Sequence, residues 1–234
     1  MKGPLDRLAD RVLSMLGLDF ELDLSEQPFS RISDSITLGR RPKAADLDAL
    51  RSAQITHVIS CLPEAQRPKV VFLESEFRCL FLPVHDGIHE DIASGFPDVF
   101  RFVESAREGD PEARVLVHCE VGVSRSATLV TALMMKRERL RFFDAFSAVR
   151  ERRAQVLPNI GFASQLQRLE RELFPEPEPG ELSSLARYLC ERCNAPVDPK
   201  VMQSALEQHD HDARRALEAV FGGEIPRVVQ GVRA

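Results

Sequence analysis

Cys119 and Arg125 bracket Gly122 in the run Val115-Leu116-Val117-His118-Cys119-Glu120-Val121-Gly122-Val123-Ser124-Arg125-Ser126. The pattern predicts a buried strand, a short loop and a helix. A loop in that setting can wrap so that successive N–H groups point inward and meet the positive end of the following helix. Glu120, Val121, Gly122, Val123, Ser124 and Arg125 are therefore expected to line a site for a phosphate-sized anion. A cysteine at the start of the loop sits in the same field, which favours its thiolate. Gly122 permits backbone angles that a side chain would forbid. Arg125 offers a planar fork for two oxygens of the anion. The hydroxyls of Ser124 and Ser126 can donate to the sulfur.

Such a loop needs a scaffold, and the rest of the chain supplies one. Strand patterns are expected at Phe29–Ile32, Ile36–Leu38, Ile55–Ser60, Phe77–Val84 and Arg114–His118. Helical patterns alternate with them at Ala44–Ser52, Phe96–Arg107, Ser126–Lys136, Phe142–Arg153 and Gly161–Phe174. The alternation predicts an α/β fold, a mainly parallel central sheet with helices on both faces. An N-terminal helix is expected over residues 5–16, within a lead-in of residues 1–27. The segment Pro175-Glu-Pro-Glu-Pro-Gly180 cannot continue a helix and is expected to be an extended linker. After it, apolar stripes predict a small all-helical module at 181–223, followed by a tail over 224–234.

His118-Cys119-x5-Arg125-Ser126 resembles the signature loop of the protein tyrosine phosphatases, and Gly122-Val-Ser124-Arg125-Ser126 resembles its dual-specificity branch. Leu38-Gly39, Ala45-Asp46 and Ile55-Thr56-His57-Val58 are similar to the N-terminal half of that branch. Leu82-Pro83-Val84-His85-Asp86 resembles its general-acid loop, and Pro158-Asn159-x-Gly161-Phe162-x-x-Gln165-Leu166 resembles the start of its last helix. The likeness covers residues 28–174. It implies a protein phosphatase acting on phosphotyrosine and phosphoserine or phosphothreonine, through a shallow pocket and a phosphocysteine. Cys119 would be the nucleophile and Asp86 the acid that protonates the leaving oxygen, as that chemistry requires. Glu90 and Asp91 are rivals to Asp86, with a cap or surface role as the plainer reading. The resemblance gives His118 a supporting role, hydrogen-bonding the loop and keeping Cys119 ionised. It gives Asn159 the choice between bracing the phosphate loop and merely capping a helix. It also makes Cys61 a possible redox partner of Cys119. No metal or cofactor is implied.

Two other functions compete: hydrolysis of a non-protein phosphate ester, and phosphoprotein binding with weak catalysis. Against a highly anionic small ligand, the loop offers Glu120, Val121 and Val123 where lysines would be expected. Against a glucan, the chain has no Trp and one Tyr. The net charge of −5 gives no basis for gripping nucleic acid. No apolar run is long enough for a membrane span, and charges at Asp6, Arg7, Asp10 and Arg11 interrupt any signal-peptide core. The five cysteines do not form a secreted disulfide pattern, so a cytoplasmic or nuclear location is expected. Arg40, Arg41 and Lys43 could steer acidic peptides, though a solvated surface is the plainer reading. Residues 198–221 are similar to the last two helices of ubiquitin-associated and CUE-type domains, which implies ubiquitin or another protein as a partner. Cys190, Cys193, His209 and His211 have the wrong spacing for zinc.

Overall fold

The structure is a computed structural model and describes residues 27–175, 182–193 and 197–223. The expected N-terminal helix, most of the proline linker, part of the loop after Cys193 and the tail lie outside the described residues. Five strands form one sheet: β1 (Phe29–Arg31), β2 (Ile36–Gly39), β3 (His57–Leu62), β4 (Arg78–Pro83) and β5 (Val115–His118). Their spatial order is β1-β2-β5-β3-β4. β1 runs antiparallel to β2, and every other pair is parallel.

β3 and β5 are buried along their whole length, as expected of central parallel strands covered on both faces. The side-chain alternation of a strand divides them cleanly. Val58, Leu62 and Leu116 point to a smaller core with Leu50, Leu73 and Phe77. This face is covered by helix α1 (Leu47–Ser52) and by 3-10 turns at Glu64–Lys69 and Val71–Ser75. Sequence reasoning left those turns unassigned. They are too short to show a periodic stripe, and Pro68 interrupts one of them.

Ile59, Cys61, Val115, Val117 and Cys119 point to the larger core. The helices on this side are α2 (Phe96–Gly109), α3 (Arg125–Arg137), α4 (Phe142–Arg152) and α5 (Ile160–Leu173). α3 is buried almost all round, in keeping with its mostly apolar sequence. β3 begins two residues later than its β-branched run suggests. Thr56 and His57 both donate their N–H to the Arg114 carbonyl, in a turn that precedes the ladder. The strand also runs on through Cys61, which pairs with Leu82 inside the sheet.

Three further helices follow: α6 (Ser184–Arg192), α7 (Pro199–Gln208) and α8 (Ala213–Val220). They join the larger core, with Leu185, Ala186, Tyr188 and Leu189 buried in the same cluster as the helices around the sheet. α6 packs on α4 and α5, and α8 on α5. Tyr188 meets Phe142 and Phe146 with ring centroids 5.4 and 5.0 Å away. The expected module is thus helical, and its first helix spends its apolar face on the sheet-bearing part of the chain. Among the described residues no helix is long and apolar enough to cross a membrane.

Candidate active site

β5 ends at His118, and α3 begins at Arg125. The loop between them is held from outside by its carbonyls. The Glu120 carbonyl accepts from Arg41 N (3.2 Å) and that of Val123 from Leu157 N (2.8 Å). Those of Gly122 and Val121 accept from the Arg153 guanidinium at 3.0 and 3.4 Å. Because a peptide unit is planar, a carbonyl turned outward turns the next N–H inward. The amides of residues 121–124 therefore line the concave side, at the N-terminus of α3, a ready site for an anion. Gly122 has a φ of 80°, and a Cβ there would come within 2.6 Å of the Gly39 carbonyl group at the end of β2. Only glycine fits this approach.

The Cys119 sulfur lies inside the loop. It accepts from Gly122 N and Ser126 Oγ, both at 3.2 Å. Ser124 differs from the sequence expectation: its hydroxyl donates to Asp86 Oδ1 at 2.7 Å and not to the sulfur. The same Asp86 oxygen accepts from Asn159 Nδ2 at 2.9 Å, and Oδ2 lies 3.5 Å from Arg125 Nε. Arg125 is buried and donates to the Val84 carbonyl at 3.2 Å, while its Nε makes no hydrogen bond. A buried donor without an acceptor is costly, and this one lies beside Asp86, close to the loop.

The family model described as "Dual specificity phosphatase, catalytic domain" matches residues 36–172. The chain belongs to this family. Among its relatives, the dual specificity protein phosphatase Mpk3 of Drosophila melanogaster is 35% identical over 77% of this chain and 41% of its own length. Mouse dual specificity protein phosphatase 19 is 37% identical over 63% of both chains. The chain thus spans about two fifths of the Drosophila relative. A solved human tyrosine phosphatase-like serine/threonine/tyrosine-interacting protein has a TM-score of 0.58 and 31% identity, covering 62% of this chain and 96% of its own. Human DUSP28 has a TM-score of 0.56 and 29% identity, covering 62% of this chain and 95% of its own.

In this dual specificity phosphatase domain Asn159 takes the capping role that the sequence left open, and its side chain holds Asp86 and not the phosphate loop. Its side-chain oxygen caps α5 by accepting from Phe162 N (2.9 Å), while its amide holds Asp86. Its backbone N–H also donates to Ser124 Oγ at 3.2 Å. Asp91 caps the turn at Ser94, and Glu90 accepts from His85 N, so each rival of Asp86 has a local structural task. The segment after Asp86 is strapped to α5 by Gln165, which accepts from Ile92 N and Ala93 N and donates to the Glu90 carbonyl.

His118 is fully buried, with Nε2 2.8 Å from Ser60 Oγ and Nδ1 3.4 Å from the Cys119 carbonyl. Burial pushes its pKa down to about 3, so at neutral pH it carries no charge. It hydrogen-bonds the start of the loop, and it brings no positive charge to the thiolate. Arg153 does bring one. It is 3% exposed, and burial lowers its pKa only to about 10, which leaves it charged. This role was not legible beforehand, because Arg153 stands at the end of a charged helix where arginines are ordinarily solvated.

Glu120 turns its carboxylate away to Arg41, at 3.1 and 3.3 Å. Arg40 likewise grips Asp46 at 2.9 and 3.1 Å. Both arginines are part-buried in these ion pairs and fasten the β2 loop, so they are not the solvated surface of the plainer reading. Cys61 is buried on β3 and follows Ser60, which is paired with His118 of β5, so Cys61 lies beside the start of the loop, where Cys119 follows the end of β5. Burial, followed by the neighbouring Cys119, pushes the Cys61 thiol pKa well up.

Proposed function

We propose that this domain hydrolyses phosphate monoesters on proteins, both phosphotyrosine and phosphoserine or phosphothreonine, through a phosphocysteine on Cys119. The observation that carries this reading is the sulfur held between Gly122 N–H and the Ser126 hydroxyl, inside a loop whose amides face inward. The inward amides, the Arg125 guanidinium and the α3 N-terminus neutralise the three equatorial oxygens. The Cys119 thiolate attacks phosphorus in line, forming the S–P bond as the ester O–P bond breaks. Asp86 gives its proton to the departing oxygen. A water then attacks phosphorus and passes a proton back to Asp86, the S–P bond breaks onto sulfur, and inorganic phosphate leaves. Ser126 steadies the sulfur as it recovers its charge. Ser124 and Asn159 aim the Asp86 carboxyl.

The family resemblance of the relatives supports a phosphoprotein substrate, and the free state of all five cysteines fits an intracellular, reducing location. The test is a phosphopeptide panel run beside inositol phosphates and phosphoglucan, with wild type and Cys119→Ser. Turnover of phosphopeptides by the wild type, and tight binding without turnover by Cys119→Ser, is expected. Turnover by Cys119→Ser, or preference for the sugar esters, would overturn the proposal.

A further inference from the structure

Arg192 on α6 is 4% exposed, and among the described residues it has no carboxylate within ion-pair distance. Its Nη1 donates to the Pro158 carbonyl (2.5 Å) and to the Tyr188 hydroxyl (3.0 Å), and its Nε has no partner among the described residues. The Tyr188 hydroxyl, fully buried, donates to the same Pro158 carbonyl. A buried cation without a counter-ion is costly. Pro158 directly precedes Asn159, the N-cap of α5, and a cation at a helix N-terminus is on the wrong side of the dipole. Neither ion pairing nor helix stability accounts for the guanidinium.

What it holds does account for it. Proline has no N–H to anchor it, so the carbonyl is the one polar handle by which the backbone at 158 can be gripped. The next residue, Asn159, gives its side-chain amide to Asp86 and its backbone N–H to Ser124. Ser124 in turn donates to Asp86. A continuous line of polar contacts therefore runs from α6, through the Pro158–Asn159 peptide, to the carboxyl group that serves as acid.

We propose that Tyr188 and Arg192 are positioning residues for general-acid catalysis: the appended helix α6 fixes the Pro158–Asn159 backbone and thereby aims Asp86. This inference rests on the reading of Asp86 as the acid. α6 is then part of the catalytic apparatus, and anything that lifts it from Phe142 and Phe146 would disarm the acid while leaving the phosphate loop built.

The test is kcat/KM for two aryl phosphates, one of a weakly acidic phenol and one of a strongly acidic phenol, with Arg192→Met, Tyr188→Phe and Arg192→Lys in the full chain. An ester with a good leaving group needs little protonation, so only the first substrate reports on the acid. Small misplacements of catalytic groups cost up to about 100-fold. Arg192→Met is expected to lose roughly 10-fold or more on the weakly acidic phenol, and little on the other. Arg192→Lys, which keeps one donor, should recover part of the loss. Because methionine removes a buried unpaired charge, thermal stability should stay level or rise, which a purely structural role would not allow. Tyrosine emission comes from Tyr188 alone, since the chain has one Tyr and no Trp, and it verifies in Arg192→Met that α6 is still docked.

In the Asp86→Asn background the same Arg192→Met substitution should change nothing further on either ester. Equal losses on both esters, or an additional loss in that background, would overturn the proposal. Should Arg192→Met fail to fold, Tyr188→Phe carries the same two outcomes with the ring packing retained. If Asp86→Asn alone shows no dependence on the leaving group, it is the reading of Asp86 that fails, and the two failures are thereby told apart.

Discussion

Ending the chain at Pro175 removes α6, α7 and α8, and the structure predicts a severe loss of stability. The helices that remain would expose Phe142 and Phe146, now 0 and 1% exposed under Tyr188. Full burial of such side chains is worth about 1.5–3 kcal/mol each, and their partial uncovering a good share of that. Glu170, 5% exposed, would lose the Ser184 hydroxyl (2.6 Å), and Gln167 would lose Leu185 N (2.7 Å). Each buried bond is worth about 1 kcal/mol net. The deficit comes to roughly 5 kcal/mol, against a total stability of about 5–15 kcal/mol for an ordinary domain. For a chain of this size that is a fall of about 10–20 °C in Tm. The assay is thermal and urea unfolding of full-length and truncated protein, with yield of soluble protein as a second reading. An extended proline-rich linker would by itself suggest the opposite, that the parts on either side of it are independent. A truncated protein with its Tm within about 3 °C of the full chain and its aryl phosphatase activity intact would refute the packing argument.

Gly161→Ala would set a Cβ 1.8 Å from the Ile88 carbonyl oxygen, so the acid loop must move; we expect kcat/KM on weakly acidic phenyl esters to fall up to about 100-fold, with Cys119 alkylation rates unchanged. Arg153→Met leaves the Gly122 and Val121 carbonyls without their donor, and should weaken oxyanion inhibition by about 10-fold or more, measured with vanadate or phosphate, for every substrate alike. The lowered pKa of His118 means that the unfolded chain takes up a proton below pH ~6.5 that the folded chain refuses until about 3. Stability is therefore full above pH ~6.5 and falls by up to about 1.4 kcal/mol per unit between those values, and unfolding of His118→Asn across the same range should lack this share. Peroxide should convert Cys119 to its sulfenic acid, and attack by the Cys61 thiol would release water and form a disulfide. A Cys61–Cys119 linked peptide by mass spectrometry is expected, and reversible recovery in Cys61→Ser would count against that pairing.

The phosphate loop was legible because its parts are local: strand, glycine, arginine and helix lie within a dozen residues, and one periodicity change marks them. Asp86 lies far from Cys119 in sequence, and it was reached through the likeness of Leu82-Pro83-Val84-His85-Asp86 to the family's general-acid loop. The fasteners were not legible. Arg153, Arg192 and Gln165 act by donating to distant backbone carbonyls or accepting from distant backbone N–H groups. That interaction needs no complementary residue, so it leaves no pairing signal in the chain. Ser124 was misjudged for a related reason. Two serines flank Arg125, and only the fold decides that Ser126 faces the sulfur while Ser124 faces the acid. The docking of α6 was hidden behind the linker, because an apolar stripe announces that a helix will be buried without naming the surface that buries it.

The electrostatics of the cradle follow from which groups keep their charge. His118, the residue beside the nucleophile, is neutral throughout the physiological range, its pKa held near 3 by burial. Arg153, behind the loop, has a pKa of about 10 and is cationic throughout the same range. The amides of residues 121–124 and the α3 N-terminus are dipoles that do not titrate at all. The field that draws a phosphate dianion in and steadies the sulfur is therefore constant across neutral pH. Histidine, the residue type that ordinarily switches there, is present and has been disabled by its burial against Ser60. The cradle is thus set before any substrate arrives, and the placing of Asp86 is a separate matter. The contacts that hold Asp86, running back through Asn159 and Pro158 to α6, do that work.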